Sequence, residues 1–102
     1  MVAIRIDRDR IADFCRRWSI TELSLFGSVL REDFRPDSDV DVMVSFGGGS
    51  HWTLLDLAQM REELVGILGR EVDLLTRRGV EQSRNPLRRE AILSTAEVVY
   101  ES

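Results

Sequence analysis

Hydrophobic residues recur at intervals of three and four in two parts of the chain, a spacing typical of amphipathic helices. The first repeat consists of Ile11, Phe14, Cys15 and Trp18. Asp7 is a residue type that caps helix N-termini, so we predict a helix that starts there and ends near Arg17. The second repeat consists of Leu54, Leu57, Ala58, Leu64, Val65 and Leu68. It predicts a helix over Trp52–Leu68 with Gly69 as its C-terminal cap.

Three shorter apolar segments have the character of β-strands. They are Ile20–Phe26, Asp39–Phe46 and Arg70–Thr76. The first two are joined without a long crossover, so we expect them to pair antiparallel, whereas a helical crossover makes the third strand parallel to the second. Pro86 favours the start of a last helix that runs through Ile92 toward Val99. The pattern predicts an α+β (α/β) fold, with a small mixed β-sheet of three to four strands packed with helices.

The length, composition and charge of the chain exclude several classes of protein. The chain has 102 residues, of which 43% are hydrophobic and 31% charged, which predicts one ordered domain over residues 1–102. A formal charge of −4 disfavours a nucleic-acid partner. No apolar run is long enough to span a bilayer and the N-terminus lacks a signal peptide's apolar core, so we expect a cytoplasmic protein. Cys15 is the one cysteine, which excludes an internal disulfide, and we expect it to be a buried core residue.

The candidate chemistry lies between Leu25 and Phe46. Gly27 and Ser28 follow the first predicted strand, and ten residues separate them from Asp39 and Asp41. We expect a tight turn and a short helix between the two strands. Gly27 allows a ligand to approach the backbone closely, and Ser28 can start a helix whose free N–H groups bind an anion such as phosphate.

The two aspartates are a candidate metal site. Residues two apart on a strand point to the same face, about 6–7 Å apart at their backbones, and the two carboxylates repel unless cations lie between them. Hard oxygen ligands suit magnesium or manganese. Asp73 lies between Val72 and Leu74, so if those two face the helices, Asp73 faces the other way, toward Asp39 and Asp41.

Two alternatives for the aspartates are a calcium loop and a solvated acidic turn. Counted from Asp37, a calcium loop requires glycine at its sixth position and glutamate at its twelfth, where the chain has Val42 and Gly48. A solvated turn does not explain Asp41, which lies between Val40 and Val42 in an apolar strand, where an unpaired carboxylate is costly. The metal site is therefore the favoured interpretation.

The motif resembles that of the minimal nucleotidyltransferases of the DNA polymerase beta-like superfamily, which include antitoxins encoded beside HEPN-domain toxins. Their motif is Gly-Ser, ten residues and Asp-x-Asp, matched by Gly27, Ser28, Asp39 and Asp41. Arg31 and the run 35–38 also resemble the family's pattern, whereas Leu30 and Glu32 depart from it. The resemblance implies a minimal polymerase beta-like fold, in which Asp73 resembles the family's third carboxylate.

The resemblance also implies a reaction. Two Mg²⁺ ions, with Mn²⁺ as a possible substitute, would be held by Asp39, Asp41 and Asp73, with ATP as the substrate and its outer phosphates near Gly27, Ser28 and Arg31. AMP would pass to a hydroxyl, a tyrosine by expectation, of a HEPN ribonuclease toxin. The alternative is an antitoxin that neutralises its partner by stoichiometric binding alone, and Glu32 favours that alternative because it brings negative charge near the phosphates.

Three further features have simpler interpretations. The glycines at 47–49 form a loop without the Gly-Lys-Ser/Thr of a phosphate-binding loop, so we interpret the segment as a linker. His51 has no second histidine or cysteine nearby and is interpreted as an exposed polar residue. An arginine cluster is interpreted as a solvated face, with contact to nucleotide phosphates or an acidic partner as the alternative. Its members are Arg77, Arg78, Arg84, Arg88 and Arg89.

Overall fold

A mixed sheet organises the part of the chain that the computed structural model describes, residues 6–27, 39–49 and 51–102. In chain order the elements are α1 (Arg8–Arg17), β1 (Ile20–Phe26), β2 (Val40–Phe46), α2 (Leu54–Leu68), β3 (Val72–Thr76), α3 (Arg77–Glu81), α4 (Pro86–Thr95) and β4 (Glu97–Glu101). The strand order is β3-β2-β1-β4. Strand β1 is antiparallel to β2 and β4, and β2 is parallel to β3. The predicted α+β fold with a mixed sheet is confirmed.

Helices α1 and α2 cover one face of the sheet and bury the main core. Alternate residues of β2, Val40, Val42 and Val44, are buried on this face. They pack in one cluster with Phe14 of α1 and Met60 of α2, both fully buried. Because strand side chains alternate between faces, Asp41 and Met43 must point to the opposite face. No helix in the described ranges is long and apolar enough to cross a membrane.

Capping residues define where helix α2 begins and ends. The Thr53 side chain accepts a hydrogen bond from the Asp56 backbone N–H and the Asp56 carboxylate accepts one from the Thr53 backbone N–H, which is a capping box. Gly69 ends the helix in the left-handed conformation (φ 70°), as predicted. The predicted apolar face is wrong for Leu54, which is 84% exposed, and for Ala58, because the side of the helix that packs on the core carries Leu57, Met60 and Leu64.

The second face of the sheet carries a smaller apolar cluster. It consists of Phe26, Met43, Val80 and Ile92, with Leu75 packed against it. Val80 comes from α3, a short helix that the sequence interpretation missed because it was taken as part of the arginine cluster. Thr76 caps α3 by accepting a hydrogen bond from the Gly79 N–H. Helices α3 and α4 therefore cover part of the face toward which Asp41 points.

The predicted C-terminal helix is wrong beyond Thr95. Ala96 has an extended backbone (φ −60°, ψ 135°), and the following residues form β4 instead of continuing toward Val99 as a helix. The segment Glu97–Glu101 contains two valines and a tyrosine, which favour a strand, and it pairs with the outer edge of β1. Val99 is buried in the main core while Val98 points outward, the alternation of a strand. The short helix expected after Ser28 lies outside the described residues.

Cys15 is fully buried in the main core, as predicted. Burial raises the pKa of its thiol to about 12, so almost no thiolate forms even at mildly alkaline pH. We expect iodoacetamide at pH 8.5 to leave Cys15 unmodified in the folded protein and to alkylate it fully in guanidinium chloride. Intact-mass spectrometry of both samples measures this, and rapid labelling of the folded protein would contradict the buried position.

Candidate active site

Two aspartates lie side by side because of the pairing of β2 with β3. The parallel register places Asp41 directly beside Asp73, and adjacent strands are about 4.8 Å apart. The register is anchored where the two strands begin, since the Val40 N–H donates to the Glu71 carbonyl oxygen at 2.9 Å. Asp39, which precedes β2, and Asp73 are exposed, whereas Asp41 is partly buried.

The pKa of Asp41 reflects the nearby negative charges. Its pKa is raised above the ordinary value of 3.8, first by burial and then by the negative charges of Asp73 and Asp39. Arg88 acts in the opposite direction and favours the ionised form. Asp73 and Asp39 therefore both act on the charge of Asp41, and the ionised form of Asp41 is held at a cost in free energy.

Gly27 is in contact with this carboxylate. It has a φ of 76°, a conformation that residues with a Cβ rarely adopt, and a Cβ built on it would overlap the Asp41 carboxylate. Its neighbour Phe26 pairs with Asp41 across β1 and β2. Gly27 and Asp41 are thus adjacent, as the predicted site requires. Ser28 and Arg31 lie outside the described residues.

Arg61 on α2 supports the strand that carries Asp73. Its Nε donates to the Val72 carbonyl oxygen at 2.9 Å, and its Nη2 forms an ion pair of 2.7 Å with Glu71. This contact was not identified from the sequence. It connects α2 to the two residues that precede Asp73.

The arginine cluster is not a uniform solvated face. Arg77 pairs with Glu22 at 3.1 Å, and Arg89 donates to the Glu81 carbonyl oxygen at 3.4 Å. Arg88, at the third position of α4, is the member whose charge acts on Asp41. Sequence reasoning did not separate Arg88 from the others, although Pro86 at the helix start fixes its place in the first turn. His51 is exposed, as expected.

The donor atoms match a hard divalent cation. Asp41 faces Asp73 and Asp39, and all three supply carboxylate oxygens, which Mg²⁺ and Mn²⁺ prefer. Within residues 6–27, 39–49 and 51–102, no group of three or more acidic, histidine or cysteine side chains is placed to hold a metal ion by itself. The aspartates fit an ion that completes its coordination with water and phosphate oxygens, as Mg²⁺ does.

Replacement of Gly27 tests the contact with Asp41. We expect Gly27→Ala to lower the free energy of unfolding by about 1–2 kcal/mol, because alanine is strained at positive φ, and to displace the Asp41 carboxylate. Gly48→Ala is the matched control, since a Cβ there meets no atom within 4 Å. Urea unfolding of both variants measures the difference. Equal stability of the two would show that Gly27 has room for a side chain.

Neutralisation of Asp41 tests the charge crowding. The pKa of Asp41 is higher in the folded than in the unfolded protein. At a pH above both pKa values, the ionised Asp41 therefore lowers the free energy of unfolding. This loss of stability disappears when the pH falls below the ordinary carboxyl range, where Asp41 is protonated in both states. We therefore expect Asp41→Asn, in EDTA at pH 7, to raise the melting temperature by roughly 2–5 °C. The gain should shrink as the pH is lowered toward 4. Asp13→Asn removes an exposed carboxylate on α1 and should give no gain; a loss of stability in Asp41→Asn would contradict the crowding.

Comparison with known proteins identifies the family. Residues 8–99 match the model of the nucleotidyltransferase domain. A proposed protein adenylyltransferase of Methanocaldococcus jannaschii is 36% identical over 87 residues, 85% of this chain and 87% of that protein. The solved structure of a proposed minimal nucleotidyltransferase is 38% identical, with a TM-score of 0.67, over 88% of this chain and 86% of that one.

A more distant structure has the same fold. It is a chain from the complex of a tri-AMPylated HEPN toxin of Shewanella oneidensis with an MNT antitoxin. Its TM-score is 0.63 at 18% identity, over 93% of this chain and 70% of that one. The resemblance seen in the Gly-Ser and Asp-x-Asp motif is confirmed, and this chain belongs to the nucleotidyltransferase domain family.

Proposed function

We propose that this protein is a Mg²⁺-dependent protein adenylyltransferase and the antitoxin of a toxin–antitoxin pair, which transfers AMP from ATP to a tyrosine hydroxyl of a HEPN-domain toxin. The observation that carries the proposal is the placement of Asp41 beside Asp73 and against the Gly27 turn. We propose the cytoplasm, where ATP is available, as the compartment of the reaction.

Each candidate residue has a role in this reaction. Asp39, Asp41 and Asp73 would hold two Mg²⁺ ions, for which Mn²⁺ can substitute. Such ions neutralise the charge of the triphosphate and stabilise the attacking and leaving oxygens. Asp73, which is exposed, would also accept the proton of the attacking hydroxyl. The outer phosphates would lie at the turn formed by Gly27 and Ser28, with Arg31 close to their charge.

The relatives support the reaction and the partner. The M. jannaschii relative is a proposed protein adenylyltransferase, and the S. oneidensis complex pairs an MNT antitoxin with an AMPylated HEPN toxin. A transferred AMP adds a bulky, negatively charged group to the toxin. In an enzyme that cuts RNA, that group would block the site sterically and repel the RNA backbone. The modification is therefore a chemically sufficient way to neutralise the partner.

Neutralisation by stoichiometric binding is the alternative function. Glu32 favours it, because this residue adds negative charge close to the proposed phosphate site. The aspartates favour the enzyme, because a chain that only binds has no use for a carboxylate that two other carboxylates repel. A catalytic test separates the two functions.

We predict that Asp39→Asn combined with Asp41→Asn lowers the rate of AMP transfer to the partner toxin by about 10²-fold or more, because bound metal ions supply several kcal/mol of transition-state stabilisation. The measurement is intact-mass spectrometry of the toxin after incubation with ATP and Mg²⁺, alongside growth rescue on co-expression. Asp13→Asn is the control and should retain full activity. If the native protein adds no AMP-sized mass and the double variant still rescues growth, binding alone neutralises the toxin.

A further inference from the structure

A cavity of about 360 Å³ lies along the edge strand β3, beyond Asp73. Leu75 lines it and shares a face of the sheet with Asp73, since the two are separated by one residue, a distance of about 7 Å along the strand. Val80 of α3 and Ile92 of α4 extend the apolar lining, and Arg88 brings a positive charge. Because the charge of Arg88 also acts on Asp41, the cavity and the aspartates are neighbours.

The order of the strands relates this cavity to the reaction. Gly27 follows β1, Asp41 lies on β2 and Asp73 on β3, and the cavity is lined by the β3 residues that follow Asp73, Leu74, Leu75 and Thr76. In the proposed reaction the outer phosphates lie at the Gly27 turn, so pyrophosphate leaves toward β1. The attacking and leaving oxygens of a phosphoryl transfer are roughly in line. The attacking hydroxyl must therefore arrive from the side of β3, where the cavity lies.

The lining of the cavity fits an aromatic acceptor. A tyrosine ring can bury itself against Leu75, Val80 and Ile92 while its hydroxyl extends toward Asp73. A serine or threonine hydroxyl lies too close to the main chain to fill the same space. In the transfer, the tyrosine oxygen bonds to the α-phosphorus of ATP and the bond to the β-phosphate oxygen breaks. The phenolic proton passes to Asp73, and pyrophosphate leaves.

Exposed apolar side chains beside the cavity indicate a macromolecular occupant. Leu87 precedes the lining residue Arg88 on α4 and is 80% exposed. Leu54 lies one turn before the lining residue Leu57 on α2 and is 84% exposed. A nucleotide base held inside the cavity would leave both leucines in water, whereas a protein that inserts one side chain covers the surface around the opening.

From these observations we infer that the cavity is the acceptor pocket of the enzyme and receives the tyrosine side chain of the protein substrate. The inference rests on the proposed function, because the side from which the hydroxyl attacks follows from the place of the outer phosphates. Beyond the proposed function, the inference identifies the surface of this protein that recognises the acceptor residue.

Filling the pocket is the first test. Ser83 lines the cavity and its neighbour Gln82 is exposed and does not, so Ser83→Trp and Gln82→Trp form a matched pair. We expect Ser83→Trp to raise the KM for the toxin at least tenfold and to leave the KM for ATP unchanged, with Gln82→Trp equal to the native protein. A rise in the KM for ATP alone would assign the cavity to the nucleotide base and overturn the inference. Identical behaviour of the two variants would overturn it as well.

A second variant covers the case in which Ser83→Trp does not fold, since the Ser83 hydroxyl accepts a hydrogen bond from the Asn85 N–H. Leu87→Ser should raise the KM for the toxin severalfold, because it removes an exposed contact beside the pocket. Val98→Ser is its control, because Val98 is also partly exposed but lies on β4, at the opposite edge of the sheet. Equal KM values for these two variants would count against the pocket.

Binding of a small probe separates failure of the pocket from failure of the proposed function. N-acetyl-tyrosinamide is titrated into the native protein with Mg²⁺ and a non-hydrolysable ATP analogue, and methyl NMR signals are followed. We expect shifts at Leu75, Val80 and Ile92 and none at Val99 in the opposite core. Shifts without AMP transfer to the toxin would reject the proposed partner and retain the pocket. Absence of shifts up to the solubility limit of the probe would overturn the pocket whether or not the toxin is modified.

Discussion

The parallel register of β2 and β3, which places Asp41 beside Asp73, is the constraint on which the candidate site depends. Folding normally separates like charges, yet the parallel register of β2 and β3 holds these two carboxylates on adjacent strands. The register is secured away from the charges, by the hydrogen bond from Val40 to Glu71 and by the contacts of Arg61 with Val72 and Glu71. Neutral packing and backbone hydrogen bonds thus impose a charge arrangement that the aspartates would not adopt by themselves.

One face of the sheet carries the main hydrophobic core, and the other carries the aspartates of the candidate site. The face covered by α1 and α2 buries most of the large side chains, including Phe14 and Met60. The opposite face has a smaller apolar cluster under α3 and α4, and the remainder carries the aspartates. Each β2 side chain points to one face of the sheet only. Val40 and Val42 therefore pack in the main core, while Asp41 between them lies on the other face beside Asp73. A half-covered sheet is the simplest way to keep carboxylates rigid and still accessible to a ligand.

The features that sequence predicted best are those encoded locally. The spacing of Gly27 and Asp41, the capping residues Asp7 and Gly69, and the alternation that turns Asp73 away from the core can each be read within a few residues. The mixed sheet followed from the lengths of its connections.

The features that were missed depend on contacts between distant parts of the chain. A helical period does not show which side of α2 packs on the core, and Leu54 stays exposed because that side carries Met60 and Leu64. Residues 97–101 favour a strand by composition, but β4 forms because an edge of β1 is available for pairing, and that edge cannot be recognised from residues 97–101 alone. Arg88 looks like its arginine neighbours until α4 is placed across from Asp41.

The contact between Gly27 and the Asp41 carboxylate couples two halves of the motif that are fourteen positions apart in the sequence. A side chain at position 27 fits only if the carboxylate at position 41 moves or is lost. The two positions therefore share one volume and cannot drift independently under mutation. In evolutionary terms the two positions are epistatic. A lineage that no longer needs the carboxylate at position 41 loses the constraint on both positions at once, so that residues other than glycine fit at position 27.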